Sequence, residues 1–524
     1  MILFKKNFLI NTIIAGLALR LIYLFNKTGD IFKINLGGDP CHHFNIAYNI
    51  SKFKGPKTDF IFSYWHRHQE LPALTDLYMP GFHFFSAFFL FFNESFLTAR
   101  FISILIYLLN IILTYLICNE LKNKNLGIIS IFLISFNFFH IENSTVFMTV
   151  NFSSFIIQSF FYTLLLTFKR DNFYYLLGFI TSYASITFGG WQILFLLSII
   201  NIIKFNKKKF FNLLFKFLLG FIIIFSIWSI YTKQYFGSIY YSNFNFYPFV
   251  ENWGDMMNST SKPNLSLIFQ NLDLIQYIKN HIVWFFVQIK DLSLFTFPTF
   301  IFLLSFLTIP LIIYGSIKLN LFGKYLLFFI FFYFIAISLG SNAMGGKLWP
   351  RHYMPLLVPI SILISSSLIS LYQNKKLNFL SKYFVNYKNL VLIFAFIITT
   401  FGIFYKKSFW ERNSEPFYEL GKKIQKIVPS NSRIMYASTV QDLWCVTKRE
   451  IIMDPTFNQT YKPERAKEEI EYYKVEYLLL DLSENIYKRN HNKLDKVLEF
   501  YDGINLDLIY KDKQNPFYLY KIVK

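Results

Sequence analysis

Apolar stretches close to the roughly 20 residues that cross a bilayer recur along most of the first 405 positions. They run over about 7–24, 98–118, 126–141, 152–168, 172–188, 190–204, 212–231, 294–315, 325–341, 353–373 and 389–405. From about residue 409 the pattern changes to alternating amphipathic and β-like pieces. Helix-like stretches at 417–428 and 462–473 are interleaved with strand-like ones at 433–437, 477–482, 506–510 and 517–523. The expected fold class is an α-helical polytopic membrane protein, about 11–13 transmembrane helices over residues 1–408, with a small α/β domain over 409–524 that is long enough for its own core.

Charge then orients the spans. The chain is 54% apolar and carries a formal charge of +21. In a soluble protein that charge would suggest nucleic acid, but here the lysines cluster between apolar runs and act as topology signals, which argues against a nucleic-acid partner. Lys5 and Lys6 precede the first run, so the positive-inside rule puts the N-terminus in the cytoplasm. With one crossing per run, the basic loops at Lys122/Lys124, Lys169/Arg170, Lys204/Lys207/Lys208/Lys209, Lys318/Lys324 and Lys375/Lys376/Lys382/Lys388 all fall inside; Lys406/Lys407 is the discordant pair. This parity requires the short run 80–92 to lie in or dip into the outer interface, and if it crosses instead, another run must restore the count. The outer face then holds the first loop, 26–79, the long loop 232–291 and the C-terminal domain. The first run has no convincing cleavage site and no internal repeat is visible. The abundant phenylalanine, 67 residues, reads as the codon bias of an AT-rich genome rather than an aromatic cofactor box.

Polar residues forced close to lipid carry the chemical information. The first loop contains Gly37-Gly38-Asp39-Pro40-Cys41-His42-His43, in which a glycine pair and a proline shape a sharp turn that aims one carboxylate. It also holds His66, His68 and Leu77-Tyr78-Met79-Pro80-Gly81. The turn 188–192 is Phe-Gly-Gly-Trp-Gln, the long loop carries Glu251, and Gly345-Gly346-Lys347-Leu348-Trp349-Pro350-Arg351-His352-Tyr353 enters a span from outside. The histidines lack zinc-site spacing, and Cys41, Cys118 and Cys445 form no disulfide framework, although Cys41 and Cys445 fall on the same face. A carboxylate and a cationic cluster on one membrane face suit an anionic, lipid-borne substrate. The cations hold a phosphate and the carboxylate takes a proton from an attacking hydroxyl.

The layout resembles the GT-C superfamily of polyprenyl-phosphate-dependent integral membrane glycosyltransferases. Asp39 resembles its acidic residue of the first outer loop. Leu77-Tyr78-Met79-Pro80-Gly81-Phe82-His83, Thr98-Ala99-Arg100-Phe101 and Arg351-His352-Tyr353-Met354-Pro355-Leu356-Leu357-Val358-Pro359 resemble segments of the protein O-mannosyltransferase and lipid A aminoarabinose transferase branch. Asp39-Pro40 with His43-Phe44-Asn45, Phe188-Gly189-Gly190-Trp191 and Val250-Glu251 resemble motifs of oligosaccharyltransferase catalytic subunits. The second acidic motif of that branch has no carboxylate near Asn151, and its sequon-reading motif is replaced by Gln441-Asp442-Leu443-Trp444-Cys445. The resemblance implies inverting transfer of a sugar from a polyprenyl-phosphate donor to a lipid, glycan or protein acceptor at the outer face of the cell membrane. Asp39 would be the base and Arg351, Lys347 and His352 the phosphate clamp, with Glu251, His43, His66 and His68 as substrate contacts. The oligosaccharyltransferase alternative implies asparagine glycosylation with a divalent metal, Mg or Mn. A transporter or flippase would instead bury charges at mid-span, whereas the runs here keep their charges near their ends.

Overall fold

The computed structural model describes residues 6–28, 33, 36, 38–61, 70–74, 78–205, 209–240, 274–296, 307–341, 350–373, 388–405, 415–437, 439–454, 463–482 and 494–523. Glu251, His66, His68 and Lys347 lie outside the described residues. Seven helices among these are long and apolar enough to cross a membrane: Asn7–Lys27, Phe96–Glu120, Thr149–Thr167, Phe210–Phe236, Asn320–Gly340, Arg351–Tyr372 and Lys388–Tyr405. The run near 126–141 forms two helices, Lys124–Ser135 and Phe138–Thr145, bent by 71° at the break, which make an eighth span if counted together. Shorter apolar helices, Phe173–Ser185, Trp191–Phe205 and Thr308–Lys318, occupy three of the remaining runs.

The helices that place the site are α1 (Lys6–Thr28), α2 (Asp39–Ser51), α3 (Gly81–Phe92), α4 (Phe96–Glu120), α5 (Lys124–Ser135), α6 (Phe138–Thr145) and α7 (Thr149–Thr167). With 12 residues, α3 is about 18 Å long, well short of the roughly 30 Å hydrocarbon layer. Its start is clamped, because the Gly81 N–H donates to the Ile186 carbonyl at 2.6 Å and Tyr183 Oη donates to the Gly81 carbonyl at 2.7 Å. A Cβ at Gly81 would stand 2.7 Å from that Ile186 oxygen, so only glycine permits the approach. The span Arg351–Tyr372 is the most enclosed, with 83% of its apolar window buried, and it forms the centre of the bundle.

One charge departs from the expectation that spans carry charges only near their ends. Arg20 sits within α1, fully buried. Its Nε donates to Ser144 Oγ at 2.8 Å, its Nη1 to the Gly16 carbonyl at 2.8 Å, its Nη2 pairs with His140 Nδ1 at 2.8 Å, and the guanidinium lies 3.4 Å above the Tyr107 ring. A charge that finds all its partners inside the protein is compatible with a span and pins α1 to α4 and α6.

Beyond the spans, one sheet organises the C-terminal part. Its strands are β1 (Phe60–Ile61), β2 (Arg433–Tyr436), β3 (Glu450–Met453), β4 (Tyr477–Asp481), β5 (Leu506–Lys511) and β6 (Phe517–Ile522), in the order β1-β3-β2-β4-β6-β5. The first four are mutually parallel, and β6 and β5 close the sheet antiparallel. The edge strand β1 comes from the segment between α2 and α3, pairing Phe60 with Ile451. Strand side chains alternate between faces. Met435, Ile452, Leu478 and Leu480 fill a separate core on one face. Ile434, Tyr436, Ile451 and Leu479 join, on the other face, the same apolar core as the membrane helices.

Candidate active site

The site starts with local backbone chemistry. Gly38 adopts φ +84° and ψ −73°, outside the range open to other residues, and caps α2. Asp39 and Pro40 follow as the first helical residues, where a fixed proline φ and a carboxylate near exposed N–H groups both favour a helix start. The Gly38 carbonyl accepts the His42 N–H at 3.0 Å and opens the helix. Asp39 therefore stands at the positive end of a helix, at the edge of the membrane bundle.

Two groups meet its carboxylate. Tyr78 Oη donates to Asp39 Oδ1 at 2.6 Å. Arg351 Nη1 lies 2.5 Å from Asp39 Oδ2, with the two side chains 17% and 23% exposed. Both side chains are thus partly buried and partly in contact with water. Arg351 is held by the single tight turn Pro350–Tyr353, which leads into the central span; Tyr353 is wholly buried and Ser154 Oγ of α7 donates to the Met354 carbonyl at 3.0 Å. Two residues of distant loops are thus brought together as an ion pair.

His352 is half-buried on the same turn, next to Arg351. His43 is fully buried: its Nδ1 pairs with His83 Nε2 at 2.9 Å and its ring centroid lies 4.2 Å from that of Tyr78. His43, expected as a substrate contact, is thus packed against the Tyr78 ring with its Nδ1 on His83. Burial, with added repulsion from His83, His42 and Arg351, holds the His43 imidazole well below the usual histidine range. Tyr78 lies in the Leu77–Gly81 segment, where a lone tyrosine two residues before a proline carries no chemical signature in the sequence.

The absence of a disulfide framework needs a correction. Cys41 and Cys445 are bonded, with Cα atoms 5.8 Å apart and 404 residues between them, while Cys118 is free and buried. Position 151, where the second acidic motif would fall, is an asparagine buried in α7, whose Oδ1 accepts from Asn110 Nδ2 at 3.1 Å.

No protein-family model and no curated protein matches the chain. Solved structures do. The archaeal oligosaccharyltransferase AglB from Archaeoglobus fulgidus, in complex with an inhibitory peptide and a dolichol-phosphate, superposes with a TM-score of 0.60 at 15% identity, over 97% of this chain and 74% of that one. ArnT from Cupriavidus metallidurans, bound to undecaprenyl phosphate, superposes with a TM-score of 0.61 at 10% identity, over 97% of both chains. A second structure of the Archaeoglobus fulgidus enzyme, in complex with Zn and sulfate, gives 0.60 at 15% identity over 96% of this chain and 72% of that one. The chain has the fold of the GT-C membrane glycosyltransferases.

Among the described residues no three His, Cys, Asp or Glu side chains converge, the Asp39 oxygens face a guanidinium and a hydroxyl, and residue 151 bears no carboxylate. The described residues around Asp39 do not form a divalent-cation site.

Proposed function

We propose that this protein transfers a sugar from a polyprenyl-phosphate donor to a lipid, glycan or protein acceptor at the outer face of the membrane, with inversion at the anomeric carbon. The observation that carries the reading is the Asp39–Arg351 pair, partly exposed to water, at a helix start within a GT-C fold. The acceptor hydroxyl oxygen attacks the anomeric carbon, its proton passes to Asp39, and the bond from that carbon to the phosphate oxygen breaks with its electron pair leaving on the polyprenyl phosphate. Arg351 serves both ends of the step. An arriving donor phosphate draws the guanidinium from Asp39 Oδ2 by bidentate pairing and frees that oxygen to act as base. His352, on the same turn, extends the clamp; Lys347, Glu251, His66 and His68, expected from sequence as further substrate contacts, lie outside the described residues.

The N-terminus is assigned to the cytoplasm and the C-terminal domain to the outside. The lysine-rich loops support this orientation, as does the Cys41–Cys445 bond, since disulfides persist in oxidising compartments. The deciding experiment compares cell-surface lipids and glycoproteins by mass spectrometry with and without the protein, then repeats the transfer in membranes using the donor so identified. Asp39→Asn should reduce transfer by about 10²- to 10⁴-fold with normal expression, and wild-type turnover in that variant removes Asp39 from the mechanism.

A further inference from the structure

The motif Gln441-Asp442-Leu443-Trp444-Cys445 has no task in the transfer step, yet its helix, α8 (Val440–Thr447), packs directly on α2. Asp442 is 1% exposed, and its Oδ1 accepts the Gly38 N–H at 2.9 Å. Three residues later Cys445 is bonded to Cys41. The Gln441 amide lies across Gly38, its Nε2, Cδ and Oε1 at 3.9, 4.0 and 4.0 Å from where a Cβ would stand. Lys448, just past the end of α8, places its ammonium 3.8 Å from the Trp444 ring centroid, 5.0 Å from that of Phe44 in α2 and 4.8 Å from that of Phe96 in α4. The helix therefore grips the chain one residue before Asp39 and two residues after it.

The grip answers a physical need. The φ and ψ of Gly38 fall in the γ-turn region, which glycine enters without a Cβ penalty but also leaves freely, so its direction is set only while its peptide groups are held. The Gly38 carbonyl is held by α2 itself, through the His42 N–H. Its N–H is held by Asp442 in a charge-assisted bond, stronger than a neutral one. With both ends of Gly38 fixed, the direction of the Asp39 side chain is fixed too.

We infer that Asp442 is a positioning residue: by holding the Gly38 N–H it keeps Asp39 aimed at Arg351 and Tyr78, so that the C-terminal domain sets the geometry of the base without touching substrate. The catalytic consequence rests on the transfer reading, whereas the geometry can be measured without any sugar donor. Full-length wild type, Asp442→Ala and Asp442→Asn are treated in detergent with a water-soluble carbodiimide and glycine ethyl ester. Mass spectrometry follows modification of Asp39, and thiol alkylation reports whether Cys41–Cys445 has formed. With the disulfide intact, Asp442→Ala should expose Asp39 to modification about tenfold faster than wild type, the loss expected for one charge-assisted bond. Asp442→Asn, whose amide oxygen still accepts the N–H, should stay close to wild type.

An Asp442→Ala protein with its disulfide formed and Asp39 as protected as in wild type overturns the inference. If the alanine variant does not form the disulfide, the asparagine variant decides: a protected Asp39 supports positioning by the acceptor, and a reactive one overturns it. With the identified donor, kcat should fall about tenfold in Asp442→Ala at unchanged KM and recover in Asp442→Asn. The expected labelling in a protein that transfers no sugar from any polyprenyl-phosphate donor would refute the transfer reading and leave the positioning role standing.

Discussion

Tyr78→Phe removes the hydroxyl that donates to the Asp39 carboxylate and keeps the aromatic ring. The hydroxyl donates to Asp39 Oδ1 at 2.6 Å, and the acceptor side chain is 23% exposed. Hydrogen bonds to charged groups contribute about 1.5–3 kcal/mol, and partial access to water reduces this to about 1–2 kcal/mol. If the bond holds the base in its reactive orientation, that energy appears as a loss of roughly 5- to 30-fold in kcat. The phenylalanine ring keeps its contacts with His42 and His43, at centroid distances of 4.8 and 4.2 Å, so the fold retains its packing there. Initial rates at saturating donor, using the lipid-linked sugar found by mass spectrometry, provide the measurement, and KM for the donor should not change because the hydroxyl faces the carboxylate rather than the phosphate. An unchanged kcat refutes the reasoning. So does a rise in KM at constant kcat, which would make Tyr78 a donor-binding group.

Other outcomes follow from the same structure. Denatured protein kept from reductant should alkylate at one cysteine, Cys118, and at all 3 after reduction; three reactive thiols from the outset would contradict the Cys41–Cys445 link. Because the His43 imidazole is held below the ordinary value of about 6.5, the unfolded state binds the extra proton below that pH, so stability rises with pH there and is lost as acid is added, by up to about 1.4 kcal/mol per pH unit. His43→Gln should flatten the fall in melting temperature between about pH 6.5 and pH 5, and an unaltered slope would show that another group governs acid sensitivity. Arg20→Lys replaces a fork that reaches Ser144, the Gly16 carbonyl and His140 with a single ammonium, and should lower stability in detergent by about 2–4 kcal/mol. A melting temperature equal to wild type would mean that the network is dispensable.

The membrane class was legible because it depends on composition over windows of about 20 residues, which a chain cannot conceal. The seven long spans coincide with apolar runs read directly from the chain. Most elements of the C-terminal domain were legible too: the strand expected at 477–482 is Tyr477–Asp481 and the helix expected at 417–428 is Glu415–Ile427. Both have strong local periodicity. The strand Glu450–Met453 and the helix Val440–Thr447 were not anticipated, since four and eight residues carry too little pattern to stand out.

Asp39 was recognisable as a carboxylate in a Gly-Gly-Asp-Pro turn and Arg351 as a cation entering an apolar run, but their contact is a property of packing. They are brought within 2.5 Å only because α2 and the Pro350–Tyr353 turn meet at the same edge of the bundle. The contacts of Tyr78 and Asp442 were invisible for the same reason, as was the packing of His43 against the Tyr78 ring. Sequence by itself determined what kind of solvent each segment needs, because burial preferences are local and additive. Tertiary structure alone decided which polar groups face one another across 404 residues of chain, because hydrogen bonds and disulfides depend on distances that no run of neighbouring residues encodes.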